Sequence, residues 1–436
     1  MDGLVVGPTN LGSFLMRGEP LARWSGFSTL DVNDEDATCA TRCDVAVAIK
    51  TDVPAEVREH AERLVCEPLD QWWDSGPEEA PRDWIVEHYE RNRYDDLIVN
   101  TPVMAEHIAE ALPASVTVHM VPHHADPRVG SDWHAPEGPI VYAGQLCFVE
   151  SSWETLCEAA AKIDRELISD TSWEVLEGAA LALSLRLPPY DTRLNRLAKP
   201  QVKLANAAQA GIPVLSTDDP ATLEIWPDVV HAPSEDFTDV EATARLMQQA
   251  LESAPPEKQF SQSQWLWSMA ELLGMKKRVM IGAGRERRAG WFTLDANAAN
   301  EPDVAAMIPP VPEFIQQADE IEMIHVLEHF HVWEVPPLLS ELRGALTDDG
   351  KLVLELPNLD VVLKVLSGEL DKPKDQWGMW PLYGDPSHED PLMCHKWCWT
   401  PEALTAELMR AGFARVERRE PLYHVPERDF RLEAYR

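Results

Sequence analysis

Met280-Ile-Gly-Ala-Gly284, Trp291-Phe-Thr-Leu-Asp295, Asp319-Glu-Ile-Glu-Met-Ile-His-Val-Leu-Glu-His-Phe330 and Asp348-Asp-Gly-Lys-Leu-Val-Leu-Glu-Leu-Pro357 follow one another in the last third of this 436-residue chain. The first apolar run ends in a glycine pair, the second in an acid, and the third leads into a helix. The fourth follows an Asp-Gly turn. Apolar runs of this kind, separated by turn chemistry, predict a parallel α/β sheet that holds a nucleoside-containing ligand at its carboxyl edge. Glycines at 282 and 284 remove side chains where the backbone must turn sharply and approach that ligand. Asp295, closing the second strand, can accept hydrogen bonds from both hydroxyls of a ribose.

In order and wording these four motifs resemble a class I S-adenosylmethionine-dependent methyltransferase of the type 11 kind, from about Lys277 to the C-terminus. About ten residues separate Gly284 from Asp295, too few for a full helix, and a subgroup of small methyltransferases with a "GxG…GW…LD" opening shares that shortening. The resemblance implies S-adenosylmethionine as cofactor, with Gly282, Gly284 and Asp295 binding it. It also puts Asp303, in a third short strand region, near the adenine. His325, Glu328 and His329 would face cofactor and acceptor from the sheet edge. Further on, Tyr383–Asp390 and Cys394–Trp397 form a long insertion that similar enzymes use as a lid over the acceptor. Methyl transfer to oxygen needs a base for the departing proton, and His395 and His388, with His329 behind them, are the candidates. Strands near Phe413–Arg419 and Asp429–Tyr435 would finish the sheet with an antiparallel edge.

The composition suits two or three domains. A hydrophobic content of 45% supports sizeable cores. No apolar run reaches 18 residues, so neither a membrane span nor a signal peptide is expected, and the reading is a cytoplasmic protein. With 74 acidic and 38 basic residues the net charge is −36. Such a surface repels a phosphate backbone, which argues against general binding to duplex nucleic acid. The seven cysteines contain no CxxC pair. Cys394-His395 with Cys398 lacks zinc-finger spacing, and no metal is expected.

Upstream, strand-like runs at Gly3–Gly7, Cys43–Ile49, Arg63–Cys66, Asp96–Asn100 and Val116–Val121 alternate with helical stretches. They predict a first Rossmann-like domain over 1–127. A second, over 128–260, opens at Gly138-Pro-Ile-Val-Tyr-Ala-Gly144 and contains the apolar run Ala179–Leu185, a helix over Pro200–Ala210 and a strand at Ile212–Ser216. Pro255–Gln264 reads as a link to the third domain, 275–436.

Ile140–Gly144, Asp96–Thr101 and above all Lys199-Pro-Gln-Val-Lys203…Gly211-Ile-Pro-Val214 resemble a glycosyltransferase of GT-B architecture, family 4-like. The implied fold is therefore α/β, with two Rossmann-like domains in GT-B arrangement followed by a Rossmann-like methyltransferase domain. A departing diphosphate needs cations and a helix N-terminus. Lys199 and Lys203 with Arg186 would supply the cations. Gly144, Asn206 and Glu224 complete the implied nucleotide-sugar site. Many retaining members carry two glutamates where this chain has Ala198 and Asn206. His119, His123, His124 and Asp126 are the acceptor-side candidates, with His123 as base. Neighbouring side chains alternate, so His123 and His124 cannot both face a cleft.

Three readings remain open from sequence. One is a bifunctional glycosyltransferase and methyltransferase that uses a nucleotide-sugar donor and a small-molecule or glycan acceptor. Another is a methyltransferase whose GT-B module recognises substrate or a partner without catalysis. The third is a structural or interaction protein with vestigial enzyme folds.

Overall fold

Runs of valine, isoleucine, leucine and alanine, buried on both faces, form the strands at the centre of this protein, as parallel sheets covered by helices require. The computed structural model describes residues 1–34, 42–71, 79–198, 201–258 and 260–436. It divides into two units, Met1–Ser268 and Met269–Arg436.

The first unit contains two sheets. Strands β1 (Gly3–Gly7), β2 (Ser28–Asp31), β3 (Cys43–Ile49), β4 (Ala61–Glu67), β5 (Asp96–Val99) and β6 (Thr117–Met120) lie in the order β2-β1-β3-β4-β5-β6. Every pairing among them is parallel. Strands β7 (Ile140–Ala143), β8 (Leu167–Asp170), β9 (Leu181–Ser184), β10 (Val214–Thr217) and β11 (Val230–Ala232) form the order β11-β10-β9-β7-β8, again all parallel. The strand order of this sheet reverses between β7 and β9. That is the switch point where open α/β sheets leave a crevice outside the strands' carboxyl ends.

The second unit holds β12 (Arg278–Ile281), β13 (Trp291–Asp295), β14 (Val304–Ala305), β15 (Ala318–Ile324), β16 (Leu346–Pro357), β17 (Arg415–Arg419) and β18 (Asp429–Tyr435). Their order is β14-β13-β12-β15-β16-β18-β17, which is 3-2-1-4-5-7-6 when counted within the sheet. The first five strands run parallel, and β18 and β17 complete an antiparallel edge. The switch point here lies between β12 and β15.

Local chemistry sets the helix starts. Thr400 caps Pro401–Arg410 by accepting the amide of Ala403, with proline at the first helical position. Thr101 does the same for Pro102–Ala109 through Met104. Part of the segment read as a link, Pro255–Gln264, begins a helix, Gln262–Leu272, in which Trp265, Leu266 and Met269 are buried. The boundary between the two units falls inside that helix. Among the described residues no helix is long and apolar enough to cross a membrane.

Candidate active site at the third switch point

The turn after β12 begins the site. The amide of Gly282 donates to Leu294 O at 2.8 Å, and that of Gly284 to Asp295 Oδ2 at 2.7 Å, which fastens the turn to the end of β13. Both glycines have positive φ, +67° and +54°. A Cβ on Gly282 would lie 2.4 Å from Val326 Cγ2. Only glycine meets both demands at 282.

Across the switch point, His325 directly follows β15, itself at φ +53°. Its ring lies between two carboxylates, Nε2 at 3.0 Å from Asp429 Oδ2 and Nδ1 at 3.1 Å from Glu328 Oε1. Burial opposes charge on this imidazole, but the hydrogen bonds and charges of Asp429 and Glu328 raise its pKa to about 9. His325 is therefore an imidazolium at neutral pH and holds the loop rather than taking protons. Asp429 also binds Arg428 at 2.7 Å.

Between these edges lies a cavity of about 660 Å³, within the range that takes a cofactor-sized ligand. Gly282, Gly284 and His325 line it from the sheet, and His329, His388 and His395 line it from the loops above. The rings of His329 and His395 meet edge to face at 4.9 Å. Burial is the main cause that lowers the pKa of His329, so that ring is neutral at pH 7. His388 is exposed at the rim.

Two expected cofactor residues sit differently from one another. Asp295 is buried at the end of β13, where its carboxylate accepts the amides of Gly284 and Asn297 and the side chain of Asn300. It braces the glycine turn and is not among the residues lining the cavity. Asp303, expected near the adenine, is not among the residues lining the cavity. It precedes β14 at that strand's amino end, and its Oδ2 accepts both the amide and the hydroxyl of Thr293 at 2.8 Å. A two-residue edge strand needs such a clamp, and the clamp turns this carboxylate onto β13.

Sequence reasoning passed over a charged network that reaches the cavity lining through Glu286, Arg288 and Glu322. Arg288 binds Glu322 and Glu286 and lies over the rings of Trp291 and Tyr423. Arg431 on β18 bridges Glu322 on β15 and Glu355 on β16 at 3.4 and 3.3 Å. Glu355 in turn accepts the amides of Leu422 and Tyr423, fixing the loop that closes one wall. The available signal was a charged residue inside each of three apolar strand runs, since buried charges persist only when paired.

The switch point of the second sheet carries the other candidate residues. Gly144, Arg186 and Lys203 meet there around a recess of about 80 Å³. Lys203 Nζ lies 3.7 Å over the ring of Tyr142, and a Cβ on Gly144 would come within 2.8 Å of that ammonium. Arg186 is paired with buried Asp219 at 2.5 Å. Lys199 lies outside the described residues. Asn206 and Glu224, expected at the sugar, are engaged within the chain and are not among the residues lining this recess. Asn206 is fully buried, and its Oδ1 accepts the amide of Asp126 at 2.7 Å. Glu224 accepts the amide of Val103 at the start of helix Pro102–Ala109. Each tethers a neighbouring segment whose amide would otherwise lack a partner.

His123 also departs from its expected role. Its Nδ1 donates to His124 O, and burial next to Arg17 drives its pKa well below the usual histidine value. His124 is buried and lies 5.7 Å from the ring of Trp265. Neither histidine lines either cavity described above.

No protein-family model matches the chain. No curated protein matches it. Among solved structures it is similar to a SAM-dependent methyltransferase from Archaeoglobus fulgidus, with 16% identity over 39% of this chain and 93% of that one, at a TM-score of 0.27. It is similar to an S-adenosylmethionine-dependent methyltransferase from Mesorhizobium loti, with 17% identity over 37% and 90% of the two chains and a TM-score of 0.24. For the S-adenosylmethionine-dependent methyltransferase SibL the figures are 16% identity, 39% of this chain, 53% of that one, and a TM-score of 0.26.

Proposed function

We propose that the second unit is an S-adenosylmethionine-dependent methyltransferase that modifies a hydroxyl of a small-molecule or glycan acceptor. The observation that carries this reading is the 660 Å³ cavity at the switch point of a 3-2-1-4-5-7-6 sheet, with a side-chain-free glycine turn on one wall and histidines on the opposite one. The residues fit the cofactor. Gly282 lines the cavity with backbone alone, and Asp295 Oδ2 keeps one acceptor position for a ribose hydroxyl. Arg288 and Glu322 offer opposite charges to an amino-acid zwitterion. When bound, S-adenosylmethionine supplies a methyl group on a sulfonium.

The chain's own task is to hold the acceptor oxygen in line with that methyl group, to exclude water and to remove one proton. Neutral His329, with His395 beside it, is placed to receive that proton, and His388 at the rim to pass it to solvent. Calorimetric titration with S-adenosylmethionine tests the reading. Micromolar binding that weakens at least tenfold in Asp295→Ala supports it, and equal affinity in the variant would refute it.

For the first unit we infer a GT-B-type module that recognises the acceptor or a partner. Arg186, Asn206 and Glu224 are engaged by the chain itself, and an 80 Å³ recess is well below the size of ordinary ligand sites. The bifunctional reading, with a nucleotide-sugar donor, rests on one observation: Gly144, Arg186 and Lys203 share that recess at the start of helix Val202–Ala210. Titration with UDP-, GDP- and TDP-sugars separates the two. Micromolar binding of one of them, lost in Lys203→Ala, favours transfer, and no binding favours recognition.

A further inference from the structure

One side chain on the cavity wall is chemically incomplete. Glu328 is 1% exposed, its Oε1 faces His325 at 3.1 Å, and its Oε2 has no hydrogen-bond partner. A buried carboxylate oxygen left alone costs several kcal/mol unless a cation or donor meets it. The two nearest candidates are imidazoles. One carboxylate oxygen of Glu328 and one ring nitrogen from each of His329 and His395 all lie within 4.8 Å of one another, the one such cluster found among the described residues.

The outer contacts of the two rings are also those of metal ligands. His329 Nδ1 lies 3.2 Å from Cys394 O, and His395 Nδ1 lies 2.8 Å from Pro381 O. A carbonyl can only accept, so Nδ1 of His395 carries the proton and its Nε2 keeps its lone pair, while His329 has a second backbone partner in His325. Imidazoles that bind metals are oriented in this way, with the second nitrogen donating to a backbone carbonyl or carboxylate. Glu328 is positioned likewise by His325, which Asp429 holds from the other side. Lys396 and Trp397 donate their amides to the Glu328 carbonyl, so the segment bearing His395 is attached to the segment bearing the other two ligands.

We propose that Glu328, His329 and His395 form a divalent transition-metal site on the wall of the cavity, with open positions for the hydroxyl oxygen of the acceptor. Two imidazoles and one carboxylate suit Zn2+, Fe2+ or Mn2+ rather than Mg2+, which prefers oxygen donors. Ligand atoms around Zn2+ stand about 3.4 Å apart at bond lengths of 2.0–2.1 Å. Atoms that lie within 4.8 Å of one another have to draw in by up to about 1.4 Å to close the set. What the metal does rests on the methyltransferase reading. With the metal bound, His329 is a ligand and no longer the base: the acceptor's O–H ionises on the cation instead, and its proton leaves through His388 to water. The oxygen lone pair then forms the bond to the methyl carbon, while the carbon–sulfur bond breaks and its electron pair stays on sulfur.

The binding itself does not depend on that reading, and the experiment keeps the two apart. Full-length protein is stripped with chelator and dialysed against Zn2+ alone, and bound metal is counted by mass spectrometry. One Zn2+ per chain is expected. Loss of one ligand in Glu328→Gln or His395→Ala should weaken it at least about 100-fold, beyond the 10–100-fold of an outer-shell change. Cys394→Ser/Cys398→Ser should retain the metal, and loss there would assign the binding to the thiols and overturn the proposal. So would no Zn2+ in the wild type, or equal Zn2+ in His395→Ala. Because Glu328 is buried, His395→Ala decides the matter if Glu328→Gln fails to fold, with a thermal melt reporting folding. Failure of S-adenosylmethionine to bind would remove the methyltransferase reading and leave the metal site standing.

Discussion

Two switch points in this protein begin alike and end differently. After β7 and after β12 the chain places a glycine where the carboxyl edge must open. At Gly144 the missing Cβ is replaced by the chain's own Lys203 ammonium, held over Tyr142. At Gly282 the Cβ position is taken by the apolar side chain of Val326, and the backbone beside it lines the 660 Å³ cavity. Charged groups follow the same division. Arg186 pairs with buried Asp219 beside the second sheet's small recess, whereas Arg288 and Glu322 pair on the lining of the third sheet's much larger cavity. A glycine at a strand end is therefore a condition for a ligand site and not a sufficient one.

The largest expected effect breaks the open site. Gly282→Val should abolish S-adenosylmethionine binding, at least about 100-fold or 2.7 kcal/mol by calorimetry, since it combines a steric collision with a positive φ. Retained affinity would show that the turn does not carry the cofactor. Next is the closed site. Arg186→Ala removes one partner of a buried pair and should destabilise the first unit by about 3 kcal/mol in a denaturant titration. A loss under about 1 kcal/mol would mean that solvent already reaches Asp219, and the recess would then count as open.

The most gradual effects concern pH. In the first unit burial lowers His88 to about 4 and His124 to about 3. Below the ordinary value of about 6.5 the unfolded chain takes up protons that the folded unit refuses. Stability should thus fall as pH drops from 6.5 towards 4, by up to about 1.4 kcal/mol per pH unit for each histidine. In the second unit His325 is raised to about 9, so its contribution is complete below 6.5 and lost as pH rises through 9. Thermal melts from pH 4.5 to 9.5, with His88→Phe and His325→Gln as references, should show opposite slopes for the two units. Slopes of one sign would erase that contrast.

Much of the fold was legible along the chain. β1 and β3 have the bounds that their apolar runs predicted, because each is buried on both faces, and β18 keeps its bounds through the alternation of Phe430, Leu432 and Ala434. β2, β8 and β11 left no such signal. All three are edge strands of their sheets, and β2 and β8 have no more than one fully buried residue each. The helix Gln262–Leu272 was masked by the prolines and polar residues before it. In the site, the glycine turn and the acid after β13 were legible from spacing. The roles of Asp303, Asn206 and Glu224 were not, since a carboxylate or amide near a strand end looks the same whether it meets a ligand or a neighbouring amide.

Sequence by itself determined the strands, the glycine turns and the chemistry available at each strand end, because these follow from local periodicity and backbone freedom. Tertiary structure alone decided which groups meet. Glu328 and His329 come from one loop and His395 from another 66 positions later, and only the folded chain brings them within 4.8 Å. Likewise, only packing decided that Lys203 fills the space beside Gly144 while the space beyond Gly282 remains. Which groups converge, and whether a space is filled, depend on contacts between distant segments, and a linear pattern does not encode those distances.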